Sequence, residues 1–567
     1  MKLKPRQVAL CTVALLLLMA GFWAYRAFSH PQRAVEAYKR KLLAAGEKLT
    51  VDELLPEGMP FERNGVRLFN QSRMVRSAKG SLFDTNAPSA MRMIAPGRAL
   101  VRWRQADIRD ETTNSWEEAE AALARDYPGL PLLEGIIERP ALDFHLDYRQ
   151  GFDLMLPHLG ALKQAAQRLS YSAEFELHRG DTEEAALKVR TMLAIAKGMA
   201  DERLVISQLV RIAIAHIALA ANWELLQSPI TTDQQLEGLQ RDWAELEFSP
   251  AVENALLMER AMAEMTLTRM RNSSAAFKRV ANGWGSAPAR SGNWFEQAAE
   301  FSVLKTKETV WQYAWSYPDQ LKALEGHQAV IEAIRQFRNG SPFKAALQSE
   351  EKRLNELGII ARSSDSESML FNFNDMDLRS LFSHSVLSLQ SLLRRVLVVE
   401  AAQRITLTAI ALKRYQLRHG SYPPDLGALS PDFLPAIPRD PVDGQNLRYR
   451  LNSDGTFLLY SIGEDGEDNE GDASSTNENK SFSSQRGRDE TKSFSWLRGR
   501  DLVWPQPATE QEAAAHYQKS STRRGTGAGG EAFAKRYGLA ATNITSTNSV
   551  EGPRAAGQTN VGSPTQR

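Results

Sequence analysis

The sequence predicts a mainly α-helical protein with an N-terminal transmembrane helix, an α-helical body, a small C-terminal α+β module and a disordered tail. Three observations support this prediction. An uncharged apolar run lies close to the N-terminus, apolar residues recur at helical spacing through most of the chain, and two short strand-like runs stand near its end. The last residues are rich in Gly, Ser, Thr and Asn, which bury too little apolar surface to fold.

The composition is that of an ordinary globular protein and excludes several classes of function. Of the 567 residues, 43% are apolar and 24% charged, and 69 Lys and Arg against 68 Asp and Glu leave a net charge of +1. This balance gives no bulk affinity for nucleic acid, so no nucleic-acid partner is expected. The single cysteine, Cys11, excludes an intramolecular disulfide and a cysteine-based zinc site.

Residues 7–25 form the apolar run, directly after three basic residues. As a helix the run is about 28 Å long, enough to cross a hydrocarbon core. Trp23 and Tyr25 stand at its far end, where amphipathic rings favour the membrane interface. A cleaved signal peptide is the alternative, but its apolar region is usually shorter, and no small-x-small cleavage site follows. The sequence therefore predicts residues 1–29 as a cytoplasmic tail and an uncleaved anchor that contacts the lipid bilayer through residues 7–25.

The basic residues around this run also predict its orientation. Basic residues stand on both sides of the span, so their comparison is nearly balanced, but a short N-terminal tail with three cations usually stays in the cytoplasm. We therefore expect a single-pass protein of a bacterial inner membrane, with residues 30–567 in the periplasm.

The region 30–360 is predicted to be helical, with its strongest signal between residues 160 and 227. Asp181, with Glu184 three positions later, is a candidate N-cap pair. The apolar residues after it fall at steps of three and four and define one helix face: Ala185, Val189, Met192, Leu193, Ala196 and Met199.

One fragment of this region, AEFELHRGDTEEAALKV (173–189), resembles a single tetratricopeptide unit. Phe175, Gly180, Asp181 and Ala185 match the aromatic, turn and small packing positions of that family. No second copy follows at a period of about 34 residues, and a solenoid needs several stacked units. An ordinary helical hairpin is the alternative interpretation.

A polar segment at 361–380 is predicted to be a hinge before the C-terminal module, 381–504. The module begins with a long helix over 385–420, which Gly420 is well placed to end. Two strand candidates follow at 446–452 and 456–462, and the Ser-Asp-Gly between them predicts a hairpin.

Three segments of this module occur in the same order as in a known family. They are LKRYQLRHGSYPPDL (412–426), IPRDPVDG (437–444) and LYSIGEDGEDNEGDA (459–473). The module resembles the C-terminal domain of the major pseudopilins of type II secretion systems, and the resemblance covers about 381–504. The N-terminal run lacks the processing site of that family, and a long helical region intervenes. The overall layout is thus similar to large bacterial envelope proteins that fuse an anchored helical region to a pseudopilin-like end.

The acidic stretch in the third segment is the candidate functional site. Six acidic residues fall within the nine positions 464–472. The resemblance implies a calcium ion held by the side chains of Asp465, Asp468 and Asp472 and the backbone carbonyl of Ile462, and calcium prefers such oxygen ligands. The alternative is a solvated acidic turn that keeps a sheet edge soluble.

The sequence repeats itself just after the acidic stretch. KSFSSQRGRD (480–489) is nearly duplicated as KSFSWLRGRD (492–501). The second copy carries Trp496 and Leu497, so we interpret it as the structural copy, and we expect Leu502–Trp504 to close the module. Residues 505–567 are predicted to form the disordered tail.

No enzyme motif stands out, so the leading hypothesis is a non-enzymatic envelope protein that binds protein partners in a secretion or envelope assembly. One alternative is a membrane-anchored hydrolase that uses scattered residues of the helical region, such as His145, Asp147 and His158. Another is a purely structural tether, for which the acidic stretch is unimportant.

Overall fold

The structure, a computed structural model, describes residues 31–75, 91–105, 108–109, 113–126, 128–139, 141–281, 302, 305–359, 379–463, 465–474 and 499–523. Its helices, in chain order, are α1 (31–44), α2 (Val66–Met74), α3 (Trp116–Asp126), α4 (Leu130–Glu134), α5 (Pro157–Arg179), α6 (Thr182–Gly198), α7 (Val205–Leu226), α8 (Asp233–Ala244), α9 (Ser249–Asn272), α10 (Ser274–Ala281), α11 (Ser316–Arg338), α12 (Phe343–Glu356), α13 (Leu381–His419) and α14 (Glu510–Arg523). A further helix over 305–310 continues through a π-helical turn, Trp311–Trp315, into α11.

The strands of the described residues are short and form small sheets. They are β1 (Arg92–Ala95), β2 (Arg98–Leu100), β3 (Ile108–Arg109), β4 (Thr113–Asn114), β5 (Arg448–Leu451), β6 (Phe457–Ile462), β7 (Asp501–Val503) and β8 (Gln506–Pro507). Their orders are β1-β2-β8, β3-β4 and β5-β6-β7. The prediction of a mainly helical protein with a small sheet region is confirmed at this level.

Helices α5, α6 and α7 pack against one another at the centre of the body. The six residues of the predicted α6 face are buried in the core, which confirms the face. The cap is confirmed as well, because the Asp181 carboxylate accepts a 3.0 Å hydrogen bond from the backbone N–H of Glu184. Gly180 ends α5 with a left-handed φ of 83°, which produces the tight hairpin into α6.

Helix α7 is the described helix that is long and apolar enough to cross a membrane, but 72% of its most apolar window is buried inside the protein. Such burial is typical of a core helix. The predicted anchor, residues 7–25, lies outside the described residues, so the structure does not bear on it.

Helix α13 attaches to the body along most of its length. Its first turn is capped from α11, because Asp319 accepts 2.9 Å hydrogen bonds from the backbone N–H groups of Phe382 and Ser383. Farther along, the side-chain amide of Gln403 donates to carbonyls at the end of α8 and just beyond it. Gly420, with φ 82°, ends the helix as predicted.

The predicted domain boundary at 361–380 lies almost entirely outside the described residues and stays a prediction. Among the described residues, those up to Glu510 cluster as one compact unit, and those from Gln511 onward belong to another.

The predicted disorder after residue 504 differs from the structure at its start. Gln506–Pro507 form strand β8, which pairs in parallel with β2, and the indole N–H of Trp223 donates to the Pro505 carbonyl at 2.9 Å. Glu510–Arg523 form a helix, α14. The difference arises because pairing with a strand some 400 positions earlier in the chain supplies the hydrogen bonds that this polar segment lacks locally. Residues 524–567 lie outside the described part.

Candidate functional site

The acidic stretch follows the predicted hairpin directly. Strands β5 and β6 pair antiparallel with Arg448 opposite Tyr460, which confirms the hairpin. Strand β7 pairs antiparallel with the other edge of β6 and places Asp501 opposite Ile462. Leu502 and Val503, from the segment predicted to close the module, therefore lie beside β6. Residues 463–474, called the acidic loop below, therefore leave the end of β6 at the point where β7 begins.

Glycine is required where the acidic loop leaves the sheet. A Cβ atom on Gly463 would lie 1.5 Å from the carbonyl oxygen of Arg500, so no other residue fits without moving the backbone. Gly471 has a φ of 86°, and a Cβ there would lie 2.9 Å from the Leu458 side chain. The close approaches of Gly463 to Arg500 and of Gly471 to Leu458 keep the acidic loop against the sheet.

Asp501 organises the second half of the acidic loop from inside the module. Its fully buried carboxylate accepts hydrogen bonds from the backbone N–H groups of Gly471 at 2.7 Å and Asp472 at 3.2 Å. Burial raises the pKa of Asp501, and these backbone donors offset part of that effect. Sequence reasoning missed this residue. The available signal was its place as the last residue of the second repeat copy.

The three predicted carboxylate ligands each have partners inside the chain. Asp465 accepts from the backbone N–H of Glu467 at 3.0 Å. Asp468 accepts from the Tyr460 hydroxyl at 2.9 Å and from the guanidinium of Arg448 at 3.2 Å. The carboxylate of Asp472 accepts from the backbone N–H and hydroxyl of Ser474 at 2.9 and 2.8 Å, and these bonds lower its pKa.

The fourth predicted ligand, Ile462, lies at the end of β6 with its side chain buried. In the described part of the chain, no group of three or more His, Cys, Asp or Glu side chains is arranged to hold a metal ion. Calcium also takes oxygens from backbone carbonyls and water, and the donors here are oxygen only, so the donor chemistry suits calcium. Calcium binding by Ile462, Asp465, Asp468 and Asp472 thus stays a prediction.

A second polar centre lies beneath the acidic loop, around Arg448. Its guanidinium pairs with the carboxylates of Asp443 at 2.6 Å, Asp440 at 3.1 Å and Asp468 at 3.2 Å. Burial alone raises the pKa of Asp468, but hydrogen bonds, including one from Arg448, outweigh it and lower the pKa. Arg448 therefore places a positive charge inside the module that balances part of the acidic loop.

Asp440 is the buried member of this centre and the aspartate of the Arg-Asp-Pro segment. Its carboxylate accepts from the hydroxyl of Ser461 at 2.8 Å and the backbone N–H of Ile462 at 2.9 Å. Burial raises the pKa of this carboxyl. Asp440 thus connects the Pro-rich turn to the end of β6, where the acidic loop starts. The motif indicated its position, but its role depends on contacts between distant residues.

The helical body reaches the acidic loop through the start of α12. The backbone N–H groups of Phe343 and Lys344 donate to the carbonyls of Pro441 and Val442 at 3.0 and 3.3 Å. The ammonium of Lys344 donates to the carbonyl of Gly466 at 3.2 Å. The acidic loop therefore rests on the sheet on one side and on α12 on the other.

The residues of the hydrolase alternative do not meet in one site. His145 is exposed and lies 3.2 Å from Asp143. Asp147 caps the following helical turn by accepting from the backbone N–H of Arg149. His158 is buried, stacks on Phe144 with ring centroids 4.1 Å apart, and bonds to Glu202 at 3.0 Å.

The His158 and Glu202 pair extends to one more residue, because the Ser207 hydroxyl also donates to Glu202. In a nucleophilic triad the histidine bridges the serine and the acid. Here the glutamate is the bridge and all three side chains are buried, which differs from the arrangement of such a triad.

Comparison of the chain with protein families, with curated proteins and with solved structures finds no match.

Proposed function

We propose that the protein is a membrane-anchored, non-enzymatic envelope protein that binds protein partners through its pseudopilin-like module. The chain is held in the inner membrane by residues 7–25, and the bulk of it faces the periplasm. The partners belong to a secretion or envelope assembly.

The observation that carries this proposal is the fixed yet exposed acidic loop. Asp501 and Gly463 hold its backbone against the sheet, while the side chains of Asp465, Glu467 and Glu470 remain exposed. A partner with a basic surface would meet these carboxylates on a rigid support, which favours fast and specific association.

Calcium would add to this support. The carboxylates of Asp465, Asp468 and Asp472, with the Ile462 carbonyl, would hold the ion, which would relieve the repulsion among the acidic side chains. The ion would act by ordering the loop. A purely structural tether would not be ordered by calcium in this way.

The first test measures the melting temperature of the full chain in detergent, with calcium and with chelator. Calcium that binds the folded protein alone stabilises it by about 2.7 kcal/mol at a hundredfold excess over Kd, so the melting temperature should rise. The double variant Asp465→Ala/Asp472→Ala should lose this rise. The matched control, Asp201→Ala/Asp432→Ala, removes two exposed aspartates elsewhere and should keep it.

The full chain, the double loop variant and the control variant are then used to capture partners from envelope extracts, with and without calcium. A partner captured by the full chain and by the control, but not by the loop variant, supports the proposal. Equal melting temperatures with calcium and with chelator would contradict the proposed calcium binding. Equal capture by all three proteins would favour the structural tether.

A further inference from the structure

Helix α1 lies antiparallel to α9, and this fixes where the chain enters the body. The Lys39 ammonium pairs with Glu264 at 2.5 Å, and the Arg260 guanidinium pairs with Glu47 at 2.8 Å. Residue numbers thus rise from α1 to Glu47, just beyond it, as they fall along α9. The start of α1, at residue 31, therefore lies at the C-terminal end of α9.

The predicted anchor ends six residues before α1, at residue 25. Six residues of extended chain span at most about 20 Å. If residues 7–25 cross the bilayer, as the proposed function requires, the C-terminal end of α9 must lie close to the membrane surface. We call this end of the body the anchor-proximal face, formed by α10, the 305–315 helix and the last turn of α9.

Contacts within the anchor-proximal face hold its elements together. The rings of Phe277 on α10 and Trp311 pack with centroids 5.4 Å apart. The side-chain amide of Gln312 donates to the carbonyl of Arg271 at 2.9 Å, and the ammonium of Lys305 donates to the hydroxyl of Ser274 at 3.1 Å. The face is thus a fixed surface with defined side-chain positions.

The 305–315 helix of the anchor-proximal face carries both exposed cations and exposed apolar groups. Lys305 and Lys307 are exposed, and so are Val310 at 36% and Tyr313 at 57%. Tyrosine rings favour the level of the lipid headgroups, and lysines there meet phosphate groups.

An open cleft of about 390 Å³ lies between α9, α10 and residues 150–153. Its lining includes the apolar side chains of Phe152, Met270 and Val280 and the guanidinium groups of Arg269 and Arg279. An arginine fork matches the oxygens of a phosphate group, and the apolar lining suits the first carbons of a lipid.

The charged groups lining this cleft are the two arginines and one carboxylate, that of Asp153. Arg279 pairs with Asp153 at 2.7 Å, while Arg269 donates to the backbone carbonyl of Arg149 at 2.6 Å. A neutral carbonyl partner does not itself offset the positive charge of Arg269. Arg33, at the start of α1, adds a further exposed cation.

We propose that the anchor-proximal face binds the headgroups of anionic phospholipids in the bilayer that holds the anchor. The cleft between α9 and α10 receives a lipid phosphate through Arg269 and Arg279, while Lys305, Lys307 and Tyr313 rest on the surface. The proposal depends on the membrane anchor of the proposed function. It adds that the body contacts the membrane surface directly and is not connected to the membrane by the anchor alone.

The test inserts the full chain into nanodiscs of phosphatidylcholine alone or of phosphatidylcholine with phosphatidylglycerol. Amide hydrogen exchange is then measured in α10 and the 305–315 helix. With phosphatidylglycerol, exchange should slow by at least about fivefold, which is the contribution of one cation beside an anionic leaflet. High salt should remove the effect, because it screens charges at a surface.

The variant R269Q/R279Q/K305Q/K307Q should exchange equally fast in both lipids. The control R179Q/R241Q/R418Q/R450Q removes four exposed cations from α5, α8, α13 and β5 and should keep the difference. A second arm adds inorganic phosphate to the full chain in detergent and should leave exchange unchanged.

The outcomes separate the two proposals. A chain that fails to insert into either nanodisc overturns the anchor and, with it, the proposed function. A chain that inserts into both but exchanges equally in both overturns the docking proposal and leaves the anchor intact. Slower exchange with inorganic phosphate alone overturns the assignment to lipid.

Discussion

Gly463 is the residue at which the acidic loop leaves β6, and its lack of a side chain is a packing requirement. The carbonyl of Arg500 occupies the place that a Cβ would need, at 1.5 Å. This contact joins two segments separated by more than thirty residues. A glycine in an acidic stretch therefore has a role here that its neighbours in sequence do not reveal.

Gly463→Ala should destabilise the protein by about 3 kcal/mol or more, the upper range for forcing extra atoms into packed structure. Urea unfolding of the full chain measures the loss. The control is Gly160→Ala, where a Cβ meets nothing within 4 Å and alanine suits the helix, so stability should rise by up to about 1 kcal/mol. A Gly463→Ala protein as stable as the wild type would contradict the packing of the acidic loop described here.

Helices α12 and α13 meet at a buried carboxyl group. The side-chain amide of Gln390 on α13 donates to Glu350 on α12 at 3.1 Å, and Glu350 is buried. Burial raises the pKa of Glu350 from 4.5 to about 7, because the charged form loses its hydration. The protonated carboxyl is therefore favoured in the folded protein.

This pKa shift predicts a pH dependence of stability. Between about pH 4.5 and about pH 7 the unfolded chain loses a proton that the folded chain keeps, so stability falls as pH rises through this window. Glu350→Gln should remove this slope and stabilise the protein near pH 7 by about 2–3 kcal/mol. Urea unfolding at several pH values measures both. An unchanged slope in Glu350→Gln would show that another group produces it.

At the scale of the whole molecule, a charged cluster joins the segment directly after α1 to α9 and α11. Glu47 is buried and pairs with Arg260 on α9 at 2.8 Å and with Arg335 on α11. Burial alone raises the pKa of Glu47, but the hydrogen bonds from Arg335 and Arg260 outweigh it and lower the pKa to about 2. These pairs hold the segment that leads to the predicted anchor.

Glu47→Gln should destabilise the protein by about 3–5 kcal/mol, because it leaves the buried guanidinium group of Arg260 without its anion. Limited proteolysis should then release α1, and urea unfolding gives the energy. In the wild type, the contribution of Glu47 is complete above pH 4.5 and is lost as pH falls toward 2. Asp52→Asn, which breaks an exposed pair with Arg149, should cost less than about 1 kcal/mol. If both variants behave alike, the cluster does not hold α1.

Local patterns in the sequence predicted the elements that depend on neighbouring residues. The buried face of α6, the cap at Asp181, the end of α13 at Gly420 and the β5–β6 hairpin all follow from spacing or turn chemistry within a few residues. The resemblance to pseudopilins likewise pointed to the acidic loop. Its calcium ligands remain a prediction.

The tertiary structure alone decided which distant groups meet. It placed Asp501 under the acidic loop, gathered Asp440, Asp443 and Asp468 around Arg448, and paired β8 with β2. It also brought the start of α1 to the cationic end of α9. The physical reason is the separation along the chain over which each kind of interaction acts. Helical periodicity and caps act over a few residues, whereas buried charges and strand edges find partners only once the chain has folded.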